Sequence, residues 1–318
     1  MIEYNDLTIR DGCHAISHNL TRDMIKKQCE FVEKTNIPVM EIGHGNGLGA
    51  SSISIGESTL SDTEMITLAK SYLKNTKLSV HVIPGIATIN RDINPAIENG
   101  VDIFRIASHC TEASMTKSHI EYIKSKSKTV YGALMMCATC SLDTLFDEVK
   151  KLKSYGADAV IIMDSTGSFL PDQVKECFIK LSEVDIKLGF HAHNNLSLAI
   201  ANSLMAIQHG ASIIDVTVNG FGAGAGNTPL EIMTTIHSSN TMDVMEHIEK
   251  LEYKSPKIKL INILTAKNNL HSVFEKEILY SANKYNIKIP NLVKELGNRK
   301  LVAGQEDLVR VIASQMAE

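Results

Sequence analysis

The chain has 318 residues, 44% of them apolar and 21% charged, and its 32 basic and 36 acidic side chains give a formal charge of −4. That length admits two ordinary domains or one large barrel, and the composition excludes a disordered chain. The mild acidic balance argues against nucleic acid as the main partner, and no apolar run approaches the roughly 20 residues of a membrane helix. The start, MIEYNDLTIRDG, lacks the basic and apolar regions of a signal peptide. Six cysteines are too few for a disulfide scaffold at this size, so a soluble cytoplasmic protein with reduced thiols is expected.

In chain order, strand patterns fall at IEYNDLTI (2–9), VMEIGH (39–44), LSVHVIP (78–84) and VDIFRIAS (101–108). They continue at TVYGALMM (129–136), AVIIMD (159–164), KLGFHAH (187–193) and SIIDVTV (212–218). Helical patterns follow them near 21–35, 61–74, 89–98, 114–126, 141–155, 171–183, 196–209 and 229–239. Ser61 with Glu64 three residues on reads as a capping box, and Pro171 as a first-turn proline. Gly100, Gly156 and Gly210 stand just before the next apolar run, where a left-handed residue ends a helix. Eight strand–helix repeats within residues 1–240 predict a (β/α)₈ barrel rather than an open doubly wound sheet. Residues 241–318 hold no strand pattern. KLINILTAKNNLHSVFEKEILYSANKY and IPNLVKELGN are expected to form a helical extension docked on the barrel.

The active site of such a barrel lies at the carboxyl ends of its strands. Those ends carry Arg10, Asp11 and His14, then Glu41 and His44, Pro84, His109, Cys137, Asp164 and Ser165, His191 and His193, and Asn219. In His191-Ala-His193 the period-two alternation sends both imidazoles to one face, with Cα atoms roughly 7 Å apart. Satisfied buried histidines are the competing reading of that pair alone, and Asp11 at another strand end tips the balance towards a metal. Two imidazoles and a carboxylate, with no thiolate, suit Mn²⁺ or Mg²⁺ with open positions, hence catalysis. Beside them, Arg10 is placed to stabilise an anionic oxygen and His14 to act as a base. No lysine stands at a strand end, so carbon–carbon chemistry here would not run through a Schiff base.

Two glycine-rich stretches, 43–50 and 219–227, loosely fit a dinucleotide fingerprint but lack its strand and acidic context. They are expected instead to let backbone pass close to a ligand or across the barrel rim. Cys137-Ala-Thr-Cys140 has no second pair to complete a zinc site and is expected to be incidental. His18, His119, His209, His237 and His247 are expected to be solvated.

LTIRDGCHAISH, EIGHGNGLGASS, IPGIATI, RIASHCTEA, IMDSTGS, GFHAHNNLSLAIANS and GFGAGAGNTPLE together resemble the 4-hydroxy-2-oxovalerate aldolases. These are class II pyruvate aldolases within the metal-dependent lyase barrels that include HMG-CoA lyase. The likeness runs from residue 5 to about 309. It implies that Asp11, His191 and His193 hold Mn²⁺, that Arg10 stabilises the pyruvate enolate, that His14 is the base, and that Ser165 binds substrate. It also implies an acylating aldehyde dehydrogenase partner, with a homo-oligomer admitted, and a place in aromatic-hydrocarbon breakdown. Three departures stand out. The family's H-A-H-H-N is His191-Ala-His193-Asn194-Asn195 here, and the tyrosine that its C-terminal extension offers to substrate is His271. His81 occupies a strand-three position where an apolar lining of the aldehyde pocket is expected, which predicts a different aldehyde from acetaldehyde, or one carrying an oxygen. The alternatives left open are a Claisen-type acyl-CoA enzyme of the same superfamily and a catalytically weakened channelling subunit.

Overall fold

The computed structural model describes residues 2–237 and 241–317. Eight parallel strands close into a barrel in sequence order: β1 (Glu3–Asp6), β2 (Val39–Ile42), β3 (Lys77–Val82), β4 (Ile103–His109), β5 (Thr129–Met135), β6 (Ala159–Asp164), β7 (Lys187–Ala192) and β8 (Ala211–Val216). β8 returns to pair with β1. Strand residues alternate between two apolar cores. Even-numbered positions such as Met40, Val80, Phe104, Ile162, Phe190 and Ile214 pack under the helices. Odd-numbered ones, among them Val39, Ile103, Tyr131, Ile161 and Ile213, fill the barrel itself. This is the period-two pattern of a barrel covered on its outer face.

The helices are α1 (Thr8–Ala15), α2 (Arg22–Lys34), α3 (Asp62–Tyr72), α4 (Asn94–Glu98), α5 (Lys117–Ser125), α6 (Leu142–Ser154), α7 (Pro171–Leu181), α8 (Ala199–Gln208) and α9 (Leu230–His237). The Ser61–Glu64 capping box and the first-turn Pro171 are both present. Gly100, Gly156 and Gly210 have φ of 88°, 101° and 111°, as helix-ending residues do. The helix expected over 229–239 is seen to His237; its last two positions, and residue 240, lie outside the described residues.

Two expectations are corrected. Strand one stops at Asp6 rather than running to residue 9. The Asp6 carboxylate accepts hydrogen bonds from the Thr8 N–H (3.0 Å) and hydroxyl, which turns the chain into α1. His18 is not solvated. It is buried, in a left-handed conformation (φ 62°), stacked on His44.

Beyond α9 lie α10 (Thr241–Ile248), α11 (Leu260–Lys267), α12 (Glu275–Lys284), α13 (Ile289–Asn298) and α14 (Glu306–Ala317). α10 and α14 were not anticipated from the sequence. Val244 and Ile248 of α10, with Leu251 and Tyr253, join the barrel's core. Ile261, Phe274, Ile278, Leu292, Leu296 and Ile312 form a separate one. The apolar cores therefore divide between Tyr253 and Ile261. Among the described residues no helix is long and apolar enough to cross a membrane.

Gly189 sits on the inner face of β7, two residues before His191. A Cβ there would stand 3.0 Å from Ile213 Cβ and 3.2 Å from the Ile213 carbonyl oxygen, with Ile161 closer still. Gly189→Ala should therefore lower unfolding stability by about 1–3 kcal/mol in urea titration. An unchanged midpoint would contradict this packing.

Candidate active site

The short turn at Asp6 decides where the site begins. With Leu7 N–H bonded to the Val216 carbonyl (2.9 Å) and Asp11 N–H to the Leu7 carbonyl (2.8 Å), the segment after β1 winds as a helix directly over the barrel mouth. Residues three and four apart share a helix face, so Arg10, Asp11 and His14 stay together.

Asp11 is buried and fully engaged. Its Oδ1 accepts from the Ala223 N–H (2.9 Å) and Asn227 Nδ2 (2.7 Å), and its Oδ2 from Arg10 Nη1 (3.0 Å). Burial alone would raise its pKa. Arg10, His193, His191 and His14 outweigh that and hold the carboxylate well below its ordinary range. Backbone comes this close because residue 222 is glycine: a Cβ there would collide with Asn227 and Asp11. The stretch 219–227 thus brings its backbone onto a site residue. In 43–50, Gly47 likewise passes against the His81 carbonyl.

His191, on β7, and His193, one residue past its end, converge with Nε2 atoms 3.3 Å apart. His191 Nδ1 lies 3.0 Å from Asp215 Oδ2. A carboxylate only accepts, so Nδ1 carries the proton and Nε2 presents a lone pair. Burial pushes His193 down to about 3, leaving it neutral. One ligand atom from each of Asp11, His191 and His193 lies within 4.8 Å of the others, so the three could hold one metal ion.

Arg10 Nε donates to Glu41 Oε1 at 2.7 Å, while Nη2 is buried without a partner. Burial would raise Glu41, but Arg105 and Arg10 beside it bring it down to about 2. His14 is half-buried, edge-on to His18 at 5.3 Å between ring centres, and His18 stacks on His44 at 3.6 Å. His44 is held neutral, accepting at Nδ1 from the Asn46 N–H (3.0 Å) and donating from Nε2 to the Gly56 carbonyl (3.1 Å). Burial, reinforced by Arg10 and opposed by Asp11, lowers the pKa of His14 below 6.5.

Ser165 follows β6 and its hydroxyl accepts from the Met136 N–H at 3.0 Å, leaving its own proton to donate. His271 comes from the C-terminal unit. Its Nδ1 accepts from the Val273 N–H (3.1 Å), which assigns the ring proton to Nε2. Burial lowers it to about 4, with His14 and Asp11 as its titratable neighbours. His81 lies on β3 beside Arg105 on β4, buried, with Nδ1 unpartnered, and burial pushes it down to about 3. Cys137 and Cys140 direct their thiols to the carbonyls of Leu134 (2.9 Å) and Cys137 (3.7 Å).

Sequence reasoning missed four participants: Arg105, Asp215, Asn227 and the buried His18. For Arg105 and Asp215 the signal was present, since each is a charge at an inward position of an otherwise apolar strand.

Residues 1–255 match the HMGL-like family model and residues 267–318 the DmpG-like communication domain. A 4-hydroxy-2-oxovalerate aldolase of Pectobacterium atrosepticum is 42% identical over 98% of this chain and 95% of its own. One from Spirochaeta aurantia is 43% identical over the same shares. Among solved structures, the N-terminal domain of a putative aldolase from Bacteroides vulgatus superposes with a TM-score of 0.74 at 21% identity, covering 90% of this chain and 98% of that one. The carboxyl transferase domain of Rhizobium etli pyruvate carboxylase gives 0.78 at 15% identity, covering 99% and 60%. These last two likenesses concern the fold alone. The full-length identity carries more: this chain belongs to the 4-hydroxy-2-oxovalerate aldolase family of HMGL-like barrels.

Proposed function

We propose that the protein is a cytoplasmic, divalent-metal-dependent lyase that splits 4-hydroxy-2-oxovalerate, or a close 4-hydroxy-2-oxo acid, into pyruvate and an aldehyde. The observation that carries this reading is the pair of facing Nε2 atoms on His191 and His193, 3.3 Å apart and grouped with Asp11. With the His191 proton drawn to Asp215, its Nε2 is available to a cation, and His193, whose Nδ1 is buried without a partner, can carry its own proton there and turn Nε2 to the same point. The residues present therefore fit a metal, and an imidazole–carboxylate set without thiolate favours Mn²⁺, with Mg²⁺ as the alternative. When bound, such an ion would act as a Lewis acid on the 2-oxo group.

The chain's own residues supply the remaining parts. The unpartnered Arg10 Nη2 is a donor for the oxygen at C2 and the hydroxyl of Ser165 a second donor for substrate. His14, neutral at physiological pH, takes the proton of the C4 hydroxyl. The C3–C4 bond then breaks, its electrons pass towards C2, and the aldehyde leaves. Arg10 stabilises the resulting enolate until C3 takes up a proton, balancing the one His14 removed from the C4 hydroxyl, to give pyruvate. His271, uncharged and with its proton on Nε2, donates where the family places a tyrosine. His81 gives the pocket a polar wall, which favours an aldehyde bearing an oxygen over acetaldehyde.

We further propose that residues 241–318 act as a helical unit that covers the barrel mouth and docks an acylating aldehyde dehydrogenase. The communication-domain match over residues 267–318 and the separate apolar core from Ile261 onward support such a unit, although α10 and Tyr253 pack with the barrel. Co-expression with such a dehydrogenase should give a complex that co-elutes in gel filtration. Two independent peaks would count against it.

Purified protein should release pyruvate from 4-hydroxy-2-oxovalerate, stop with EDTA and recover with Mn²⁺. Borohydride added with substrate should trap no adduct, and a labelled lysine would sink the mechanism. His14→Ala should reduce turnover by about 10²–10⁴-fold while leaving Mn²⁺ binding intact. The base works only when neutral and its pKa lies below 6.5, so kcat/KM should hold down to that pH and fall beneath it. An acid limb centred above 6.5 would reassign the base.

A further inference from the structure

Arg105 heads the fully buried side chains in size, lies in the middle of β4, and takes no part in the reaction described above. Its guanidinium is the shared partner of two carboxylates. Nη1 donates to Glu41 Oε1 and Oε2 at 3.4 and 3.3 Å, and Nη2 donates to Asp215 Oδ2. Each carboxylate also grips a residue of the site. Glu41 Oε1 accepts from Arg10 Nε at 2.7 Å, and Asp215 Oδ2 accepts from His191 Nδ1 at 3.0 Å. Asn5 and Ser79 add weaker bonds, at 3.3 Å to Asp215 and 3.4 Å to Glu41.

A planar guanidinium fixes the directions of its partners as a single ammonium cannot. Buried ion networks are poor sources of stability, because desolvation offsets most of the attraction. Val39, Ile103 and Ile213, one inward position earlier on β2, β4 and β8, show that apolar side chains fill this barrel readily. The retained charges therefore call for another role.

The geometry points to Arg105 as a positioning residue that couples the two halves of the active site. Through Asp215 it sets the tautomer and aim of His191 within the metal-ligand group. Through Glu41 it sets the guanidinium of Arg10, the donor for the anionic substrate. This rests on the metal-dependent reading of the site, so its test separates the two.

Mn²⁺ affinity is measured on the purified full chain by the EPR signal of free Mn²⁺. Oxalate, a flat dianion that mimics an enolate of pyruvate, is titrated into Mn²⁺-saturated protein by calorimetry. Asp215→Asn should weaken Mn²⁺ by about 10–100-fold and leave oxalate affinity at saturating Mn²⁺ near wild type. Glu41→Gln should do the reverse. Arg105→Lys, which keeps the charge but loses the fork, should weaken both, and Arg105→Met should weaken both further. In steady-state kinetics the lysine variant should raise KM for substrate as well as the Mn²⁺ requirement. A merely structural role would lower the melting temperature and leave both affinities of the folded protein unchanged. Should Arg105→Met fail to fold, the lysine variant decides. If it binds Mn²⁺ and oxalate like wild type, or loses only one of them, the coupling role is overturned. If wild type itself binds no Mn²⁺, the metal reading falls and the coupling with it.

Discussion

Two guanidiniums and three carboxylates meet in the upper half of the barrel: Arg10, Arg105, Asp11, Glu41 and Asp215, all buried. Taking each out of water costs several kcal/mol, so none can stand there without the others. Their mutual compensation is visible in Glu41, whose pKa burial alone would raise and which the two arginines bring down to about 2. Arg105 and Asp215 come from β4 and β8, Glu41 from β2, and the pair Arg10–Asp11 from α1. The network can therefore form only when the barrel has closed. Assembly of the site thus depends on closure of the fold.

Around that network, backbone rather than side-chain chemistry does much of the placing. The Asp6 turn starts α1 over the barrel mouth and thereby holds Arg10, Asp11 and His14 in one fixed relation. The loop after β8 reaches Asp11 with one backbone N–H and one amide, which its glycines permit. The C-terminal unit meets the barrel through polar contacts such as Ser168 with Asn269 (2.9 Å) and Asn195 with the Asn262 carbonyl (3.3 Å). A polar seam suits a part that brings one histidine to the mouth while keeping its own core apart.

The barrel was legible because its signals are local. Eight apolar runs at regular spacing, helix caps at Ser61 and Pro171, and glycine stops at 100, 156 and 210 each follow from chain geometry. The His191–His193 pair was legible for the same reason, since period-two alternation is a property of the strand itself. The turn at Asp6 was hidden because Ile2 to Ile9 reads as one strand-forming run, and only a side-chain bond to Thr8 interrupts it. The ion network was hidden for a different reason. Its members are between 31 and 110 residues apart wherever they pair across the barrel, and no periodicity links them. His18 looked like a loop histidine because its burial depends on stacking against His44, 26 positions away.

The sign of the network's charge bears on what it can receive. Two guanidiniums against three carboxylates leave the network with one more acidic group than basic ones. A divalent cation on Asp11, His191 and His193 would reverse that to one positive charge. In a buried setting an uncompensated charge is costly, so a site loaded in that way would favour a partner that brings negative charge over a neutral one. A 2-oxo monocarboxylic acid carries a single negative charge. The negative site without its cation would repel the same acid, so charge favours the proposed cation binding before the carboxylate. Arg10 bears on both steps of that proposal: its Nη1 holds Asp11 while its Nη2 is buried without a partner.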